Sequence, residues 1–584
     1  MINNDKIISL VSDILKFNFD NVEITDSDRV TVQKSADKLI VGGNSIPQKM
    51  RALTIAYINR DKADLDIKQT PYFENLGVML DVSRGGVMRV GRVKEFILRL
   101  AMTGSNRLML YTEDIFTLED YPYFGYCRGR YTDEELSEII AYGEDLGVEL
   151  VPCIQTLGHM AQYLSWWLGD GEGGKLKDTD TCIMCDSKYT YDFIEAEIKK
   201  MKNLFKSNKI HIGMDEAHDM GLGKYLDEFG YTDRNTLLKR HLTKVCDICK
   251  KYDFEPIMWS DMFFRLASGG EYYDTKSKFS KEILAGLPDV DLAYWDYYTK
   301  DEAQYDKMIE RHKLLGRPIV FAGASISYNG ILPDIKESFD CTYPAMKSCI
   351  KNNLQDIWAT MWGDDGCEVD YFDALYAYAM FSEMCYNPDC TMADIENMAI
   401  TISNYTPKLA KETESYYVYE GIRDSIIWGD IFYKLTNVDT STDKAYLKAK
   451  EAYEACDDEY VKLILKIFYT KADIYANMQN DYKSGADMSK YSQKILPELL
   501  DDFERLFEIF SQKWLRNNKV FGYEVFGLRF NTSIGRIKYA IKVISDYADG
   551  RLDKIEEFEY EPQYTSRRQA FYNNVVSGRA INYF

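Results

Sequence analysis

A chain of 584 residues with 46% hydrophobic content exceeds what one compact core can hold and points to roughly two to four structural units. Its 93 acidic against 71 basic residues leave a formal charge of −22. Such a surface repels phosphate backbones and anionic headgroups, which argues against nucleic acid and membranes as partners. Met1–Leu10 lacks the basic start, long apolar run and small-residue cleavage site of a signal peptide, and no stretch is apolar enough to span a bilayer. The twelve cysteines sit mostly in apolar patterns such as Val151-Pro152-Cys153-Ile154, so a cytoplasmic protein with reduced thiols is expected.

Residues 1–70 carry the alternating apolar positions Val30, Val32, Leu39 and Val41, then the helical stretch Pro47–Asn59, and predict a small α/β domain. From residue 71 to 370 eight short apolar runs predict strands: Leu76–Val82, Arg107–Thr112, Val148–Ile154, Lys209–Met214, Glu255–Trp259, Asp291–Trp295, Arg317–Gly323 and Asp356–Trp362. Helical periodicity fills most of the intervals, over Arg92–Met102, Asp133–Leu146, Tyr191–Phe205, Asn235–Tyr252, Asp301–Leu315 and Asp340–Lys351. Val, Ile and Leu-rich strands alternating with helices imply a parallel sheet covered on both sides, and eight such units close most naturally into a (β/α)8 TIM barrel. An open doubly wound sheet is disfavoured, because Arg84-Gly85-Gly86-Val87 lacks the spacing of a dinucleotide fingerprint. Residues 371–584 change character, with long helical patterns at Asp370–Tyr386, Asp443–Lys483, Ser489–Trp514 and Asn531–Ala548 that predict an all-helical C-terminal domain.

Two C-x-x-C pairs, Cys182/Cys185 and Cys246/Cys249, have the spacing of zinc half-sites. They are far apart, and the second falls inside a helical pattern where spacing three merely puts two small residues on one face. No metal and no cofactor is expected.

In a barrel the reacting residues gather at the carboxyl ends of the strands. Those ends read Asp81-Val82-Ser83-Arg84, Tyr111-Thr112-Glu113-Asp114, Gln155-Thr156-Leu157-Gly158-His159, Asp215-Glu216, Trp259-Ser260-Asp261, Trp295-Asp296-Tyr297-Tyr298 and Met361-Trp362-Gly363-Asp364. Adjacent acids at the end of a buried strand are costly unless paired, so Asp215 and Glu216 suggest chemistry; the bland alternative is that they cap the next helix. Tryptophans beside carboxylates and one arginine suit a sugar, whose rings offer apolar faces for stacking and hydroxyls for hydrogen bonds. Taken singly, Trp259, Trp295 and Trp362 are also readable as ordinary core.

Five of the segments, Leu80–Arg84, Leu110–Asp114, Gln155–His159, Gly213–His218 and Met361–Asp364, resemble glycoside hydrolase family 20, the exo-acting β-N-acetylhexosaminidases, in particular bacterial members without a secretion signal. The resemblance is strong over the barrel, weak over residues 1–70 and slight beyond the barrel. It implies a retaining enzyme that releases terminal β-linked GlcNAc, with GalNAc a second candidate, from oligosaccharides or glycoconjugates. By position it makes Glu216 the general acid and Asp215 the residue that holds the substrate's 2-acetamido group. The acetamido oxygen is then the nucleophile, and an oxazolinium intermediate replaces a covalent glycosyl-enzyme. His159 matches the histidine that bonds the acid, with Glu113 behind it, while Arg84 and Asp364 match the pair that grips the outer sugar hydroxyls. For Glu216 to act as an acid, partial burial and the charge of Asp215 must raise its pKa.

One departure stands out. The family tyrosine that bonds the acetamido oxygen belongs on the seventh strand, where Ala322–Tyr328 fits poorly; Tyr297 is the better-placed candidate, with Tyr328 as the other. Asp215 and Glu216 share a pocket only if the backbone turns as the fourth strand ends, which Ala217-His218 would allow. His218 is read either as facing the leaving group or as a helix cap. Competing functions are a barrel glycosidase with a carboxylate nucleophile and a non-catalytic sugar-binding protein. The expected partners are β-N-acetylhexosaminide glycans, and a homodimer is among the assemblies left open.

Overall fold

The computed structural model describes residues 2–35, 38–166, 172–417, 423–433 and 444–561. The parts of the expected helical domain at 418–422, 434–443 and 562–584 lie outside the described residues. Four strands open the fold: β1 (Val22–Asp26), β2 (Val30–Ser35), β3 (Lys38–Gly43) and β4 (Leu65–Gln69), in the order β1-β3-β2-β4. Helix Ile46–Ile58 is buried over most of its length against this sheet and against helix Val90–Met102 of the following unit. Its Arg51 is wholly buried and bridges the units, pairing with Glu383 at 2.9 Å and donating to Thr103 O at 2.9 Å. The sequence pattern brought out β2, β3 and this helix, but not helix Asn4–Leu15, β1 or β4, which are short and half-exposed.

The eight expected strands form a closed parallel barrel: β5 (Asn75–Asp81), β6 (Arg107–Tyr111), β7 (Glu149–Cys153), β8 (Lys209–His211), β9 (Glu255–Trp259), β10 (Asp291–Trp295), β11 (Ile319–Ala324) and β12 (Asp356–Met361). β12 pairs with β5, with Met361 against Leu80, and closes the ring. Strand alternation sorts the side chains into two cores. Leu76, Val78 and Leu80 of β5, Leu108 and Leu110 of β6, and Ile357 and Ala359 of β12 pack outward under the helices. Met79, Met109, Tyr111, Val151, Trp259, Trp358 and Trp362 fill the interior instead. A strand residue's phase therefore decides whether it supports the helices or faces the mouth. The helix starts are written locally: Thr132 and Glu135 form a reciprocal capping box at the head of Asp133–Asp145, worth about 1 kcal/mol.

Helix Tyr371–Tyr386, expected to open the C-terminal domain, packs instead on β12 and helix Ile335–Lys351 as the outer helix of the last barrel unit. All of its residues are buried, so its pattern carries no one-sided stripe to say which core it serves. A second hydrophobic core joins Ile331 and Leu332, from the loop after β11, to residues from Tyr416 onward, around helices Glu459–Lys483, Leu496–Asn517 and Tyr523–Ala548. The long helix expected over Asp443–Lys483 is broken before Glu459, where Asp458 caps the second segment by accepting from Val461 N at 2.9 Å. Among the described residues no helix is long and apolar enough to cross a membrane.

Candidate active site

β8 stops at His211, three residues short of the expected Met214, and the chain turns there. Gly213, Met214 and Glu216 adopt φ of +69°, +74° and +48°. Left-handed backbone at Met and Glu costs on the order of 1–2 kcal/mol per residue and persists only where neighbours over-determine it. Those neighbours are Gln155, whose Oε1 accepts from Met214 N at 3.3 Å and whose Nε2 donates to Asp215 Oδ1 at 3.1 Å, and Asp261, whose Oδ2 accepts from Glu216 N at 3.1 Å. The turn thus falls at Gly213-Met214 and at Glu216 rather than at Ala217-His218. It cancels the strand alternation that would send the two acids to opposite faces. His159 Nε2 lies 3.1 Å from Asp215 Oδ2 and 3.7 Å from Glu216 Oε2. No helix begins here for the acids or the exposed His218 to cap, since the next one starts at Lys224.

Glu113 and His159 also carry positive φ, +40° and +54°, so with Glu216 three ionisable groups of the mouth are set by backbone that regular strand would not provide. His159 is more closely engaged with Asp215 than with Glu216, the reverse of the expected order. Burial opposes a charge on either partner; the mutual attraction prevails and draws His159 up to about 9 and Asp215 down to about 2. Gln155 adds to the fall at Asp215. Arg84 Nη2 sits 3.3 Å from His159 Nδ1 and pulls the other way, since a guanidinium beside the ring opposes a second proton. Glu113 is therefore not the direct backing of His159. Its Oε1 accepts from Tyr111 OH at 3.0 Å and lies 3.5 Å from Arg84 Nε, and burial raises its pKa against the pull of Arg84 and His159.

Glu216 is more open than partial burial implies, with 43% of its side chain exposed. Arg265 Nη2 lies 3.4 Å from Glu216 Oε1, and Arg265 Nε donates to Asp261 Oδ2 at 3.0 Å. Asp261 is fully buried, and burial with the nearby Asp215 charge pushes its carboxyl up to about 7. One buried acid thus holds the backbone of Glu216 and the cation that faces its carboxylate.

Arg84 reaches across the first and last barrel strands. Its Nη1 meets Asp364 Oδ1 at 2.7 Å and Asp81 Oδ2 at 3.3 Å. Its guanidinium lies 5.1 Å from the ring centres of Tyr111 and Trp362. Asp81 Oδ1 accepts from Ser83 N at 2.9 Å and its Oδ2 from Gly363 N at 2.9 Å, so one buried carboxylate ties together the two loops that carry Arg84 and Asp364.

The aromatic residues converge. Trp259 and Trp362 lie 6.0 Å apart, Trp295 stacks on Tyr297 at 5.3 Å, and Trp362 Nε1 donates to Tyr297 OH at 3.2 Å. Trp259 is wholly buried as the floor of this cluster, whereas Trp295 is half-open. Tyr328 lies 6.3 Å from Tyr297, at the edge of the same group. Sequence reasoning passed over Asp81, Tyr111, Gln155, Asp261 and Arg265 as site residues. The first four stand in the strand-end segments and were legible there; Arg265, one helical turn beyond Asp261, was signalled only by that spacing. Of the C-x-x-C cysteines, Cys246 and Cys249 are buried on helix Arg234–Lys251 and Cys182 donates to Asp219 Oδ1 at 3.2 Å.

Residues 73–280 match the glycosyl hydrolase family 20 catalytic domain, and residues 411–576 match the glycoside hydrolase 20C C-terminal domain. A beta-hexosaminidase of Vibrio furnissii is 26% identical over 223 residues, which is 31% of this chain and 36% of that relative, so the chain spans only about a third of its length. The chain superposes in part on an exo beta-N-acetylglucosaminidase of Vibrio harveyi solved with N-acetylglucosamine (TM-score 0.51, 17% identity, 68% of this chain and 70% of that one). It also superposes on the N-acetyl-beta-hexosaminidase of Streptomyces plicatus (TM-score 0.51, 17% identity, 69% and 91%). At such identity the two structures speak for the fold, and it is the two matched domains that carry the assignment: the chain belongs to glycoside hydrolase family 20.

Proposed function

We propose that the chain is a retaining exo-β-N-acetylhexosaminidase that releases terminal β-linked GlcNAc, and GalNAc as a second sugar, by substrate-assisted catalysis through an oxazolinium intermediate. The observation that carries this reading is the turn after β8, which brings Asp215 and Glu216 to the same histidine. Glu216, open to solvent on one side, is the general acid that protonates the leaving oxygen. Asp215, held as an anion by His159 and Gln155, accepts the acetamido N–H and gains in value as positive charge spreads over the forming ring. Each of its oxygens already carries a partner, Gln155 on Oδ1 and His159 on Oδ2, which weakens it as a covalent nucleophile.

Arg84 and Asp364 grip the outer hydroxyls and confine cleavage to the non-reducing end. Trp259, Trp295 and Trp362 wall the acetamido pocket, and Tyr297 bonds the acetamido oxygen. Its hydroxyl accepts from Trp362 and also meets Thr360, whose own hydroxyl donates to Gly323 O, so the Tyr297 proton turns from Thr360 to the substrate. His159 orients Asp215 and reaches Glu216, and Glu113 supports Arg84 and Tyr111 from behind. We place the protein in the cytoplasm and divide it into a small domain over 1–70, a barrel running from 71 to about 410, and a helical domain beyond; the two hydrophobic cores support the later boundary over one at 370. The test compares matched aryl β-glycosides of GlcNAc and glucose. Turnover should require the acetamido group and should fall about 10²–10⁴-fold in Glu216→Gln. Equal rates on the two sugars, or full activity in Glu216→Gln, would refute the reading.

A further inference from the structure

We infer that the C-terminal helices are a positioning element of the sugar-gripping arm, not merely a cover for the barrel; this rests on the roles proposed for Arg84 and Asp364. Both of those residues sit on loops beyond the strand ends, tied to each other by Asp81. Both loops are fastened to one short stretch of the second core, residues 514–529.

The Arg84 loop accepts at Val87 O from Lys519 N at 2.7 Å and donates from Arg89 N to Asn517 O at 2.8 Å, and Met88 makes an antiparallel bridge with Asn518. Gly522, at φ +94°, lies so close that a Cβ there would sit 1.8 Å from Gly85 O, one residue from Arg84. The Asp364 loop is held from the same side. Trp514 Nε1 donates to Cys367 O at 3.2 Å, and Arg529 pairs with Glu368, both side chains buried. The two loops also meet directly, since a Cβ on Gly86 would lie 2.4 Å from Cys367 Cβ. A displacement of 514–529 therefore moves both jaws of the Arg84–Asp364 contact, and a misplacement near 1 Å can cost about 10²-fold in rate.

The helices act through Arg84 and Asp364 and touch no substrate themselves, so the test must separate positioning from stability. Gly522→Ala in the full chain pushes on Gly85 O. Trp514→Phe removes the indole donor to Cys367 O while keeping an aromatic ring in place, and serves if Gly522→Ala does not fold. Each is assayed on an aryl β-GlcNAc glycoside, alone and combined with Arg84→Ala, with thermal midpoints recorded. The expected result is a loss of about tenfold in kcat/KM, mostly in KM, that shrinks to within about twofold when Arg84 is already absent, as coupled sites require. Wild-type kcat/KM in folded variants, or a loss that persists in the Arg84→Ala background, would overturn the role. A wild-type chain inactive on this substrate would overturn the proposed activity and this role with it, a result read before any variant is made.

Discussion

Replacing Asp215 by Asn removes the one group that pulls the His159 pKa upward most strongly. In the intact pair His159 is drawn up to about 9 while burial and Arg84 both work downward. Without the carboxylate, burial and Arg84 work against only Glu113 and Glu216, whose Oε2 lies 3.7 Å from Nε2, so the imidazole should titrate well below 9, toward its ordinary 6.5. A fall from about 9 to 6.5 corresponds to about 3.5 kcal/mol at roughly 1.4 kcal/mol per pH unit. Proton-detected NMR of ring-labelled histidine reads it directly, because the chain has five histidines. His211, His241 and His312 are buried and pushed down to about 3, 4 and 4, and His218 is also lowered, which leaves His159 alone to titrate above 7 in the wild type. His159→Gln assigns the signal. An imidazole still titrating above 8 in Asp215→Asn would refute the pairing. The same pair sets a stability window. The folded pKa of Asp215 is lowered, so its contribution is present above 3.8 and lost as pH falls through about 2; that of His159 is raised, so its contribution is present below 6.5 and lost as pH rises through about 9. The gap in thermal midpoint between wild type and Asp215→Asn should therefore be widest between about pH 4 and 6.5. Turnover should fall about 10²–10³-fold in the variant, as for loss of one group aimed at developing charge.

Tyr297→Phe should lower kcat on a GlcNAc glycoside by about 10–10²-fold, as loss of one hydrogen bond of about 1.5–3 kcal/mol to a charged centre implies, while Tyr328→Phe stays within about threefold; matched kinetics decide, and the reverse order would reassign the acetamido contact. Gly213→Ala should cost at least about tenfold in kcat, because Gly213 has φ +69° and its new Cβ would lie 1.9 Å from Gln155 Oε1, the group that orders Met214 and Asp215; wild-type turnover in a folded variant would show that this turn is not needed.

The barrel was legible because each of its strands is a short apolar run with a helical interval, and a parallel sheet buried on both faces leaves that mark in composition alone. The strand ends were legible as a set for the same reason, once eight ends had to meet at one mouth. What the pattern did not carry was geometry made by φ. A run such as Ile210–Met214 reads as continuous strand, and nothing in residue type announces that Met214 and Glu216 will be held left-handed by Gln155 and Asp261. Nor does spacing reveal that Arg84 comes between Glu113 and His159, because those three residues come from loops after different strands. Helix Tyr371–Tyr386 is buried on every side, with Asp373 and Glu383 among its buried residues, so its pattern gives no stripe to say which core it serves.

The brevity of β8 has a consequence for how such a centre can change over time. Backbone bonds to β9 run on only through Ile212 and Gly213, and beyond them Met214–Glu216 is held by side chains lent from just past the neighbouring strands, Gln155 after β7 and Asp261 after β9. Mutations in those lenders can retune proton delivery while the barrel's hydrogen-bonded frame stays untouched. Anyone transplanting the twin carboxylates onto another scaffold would have to carry the lenders along, because without them nothing holds Met214 and Glu216 left-handed and the two acids part.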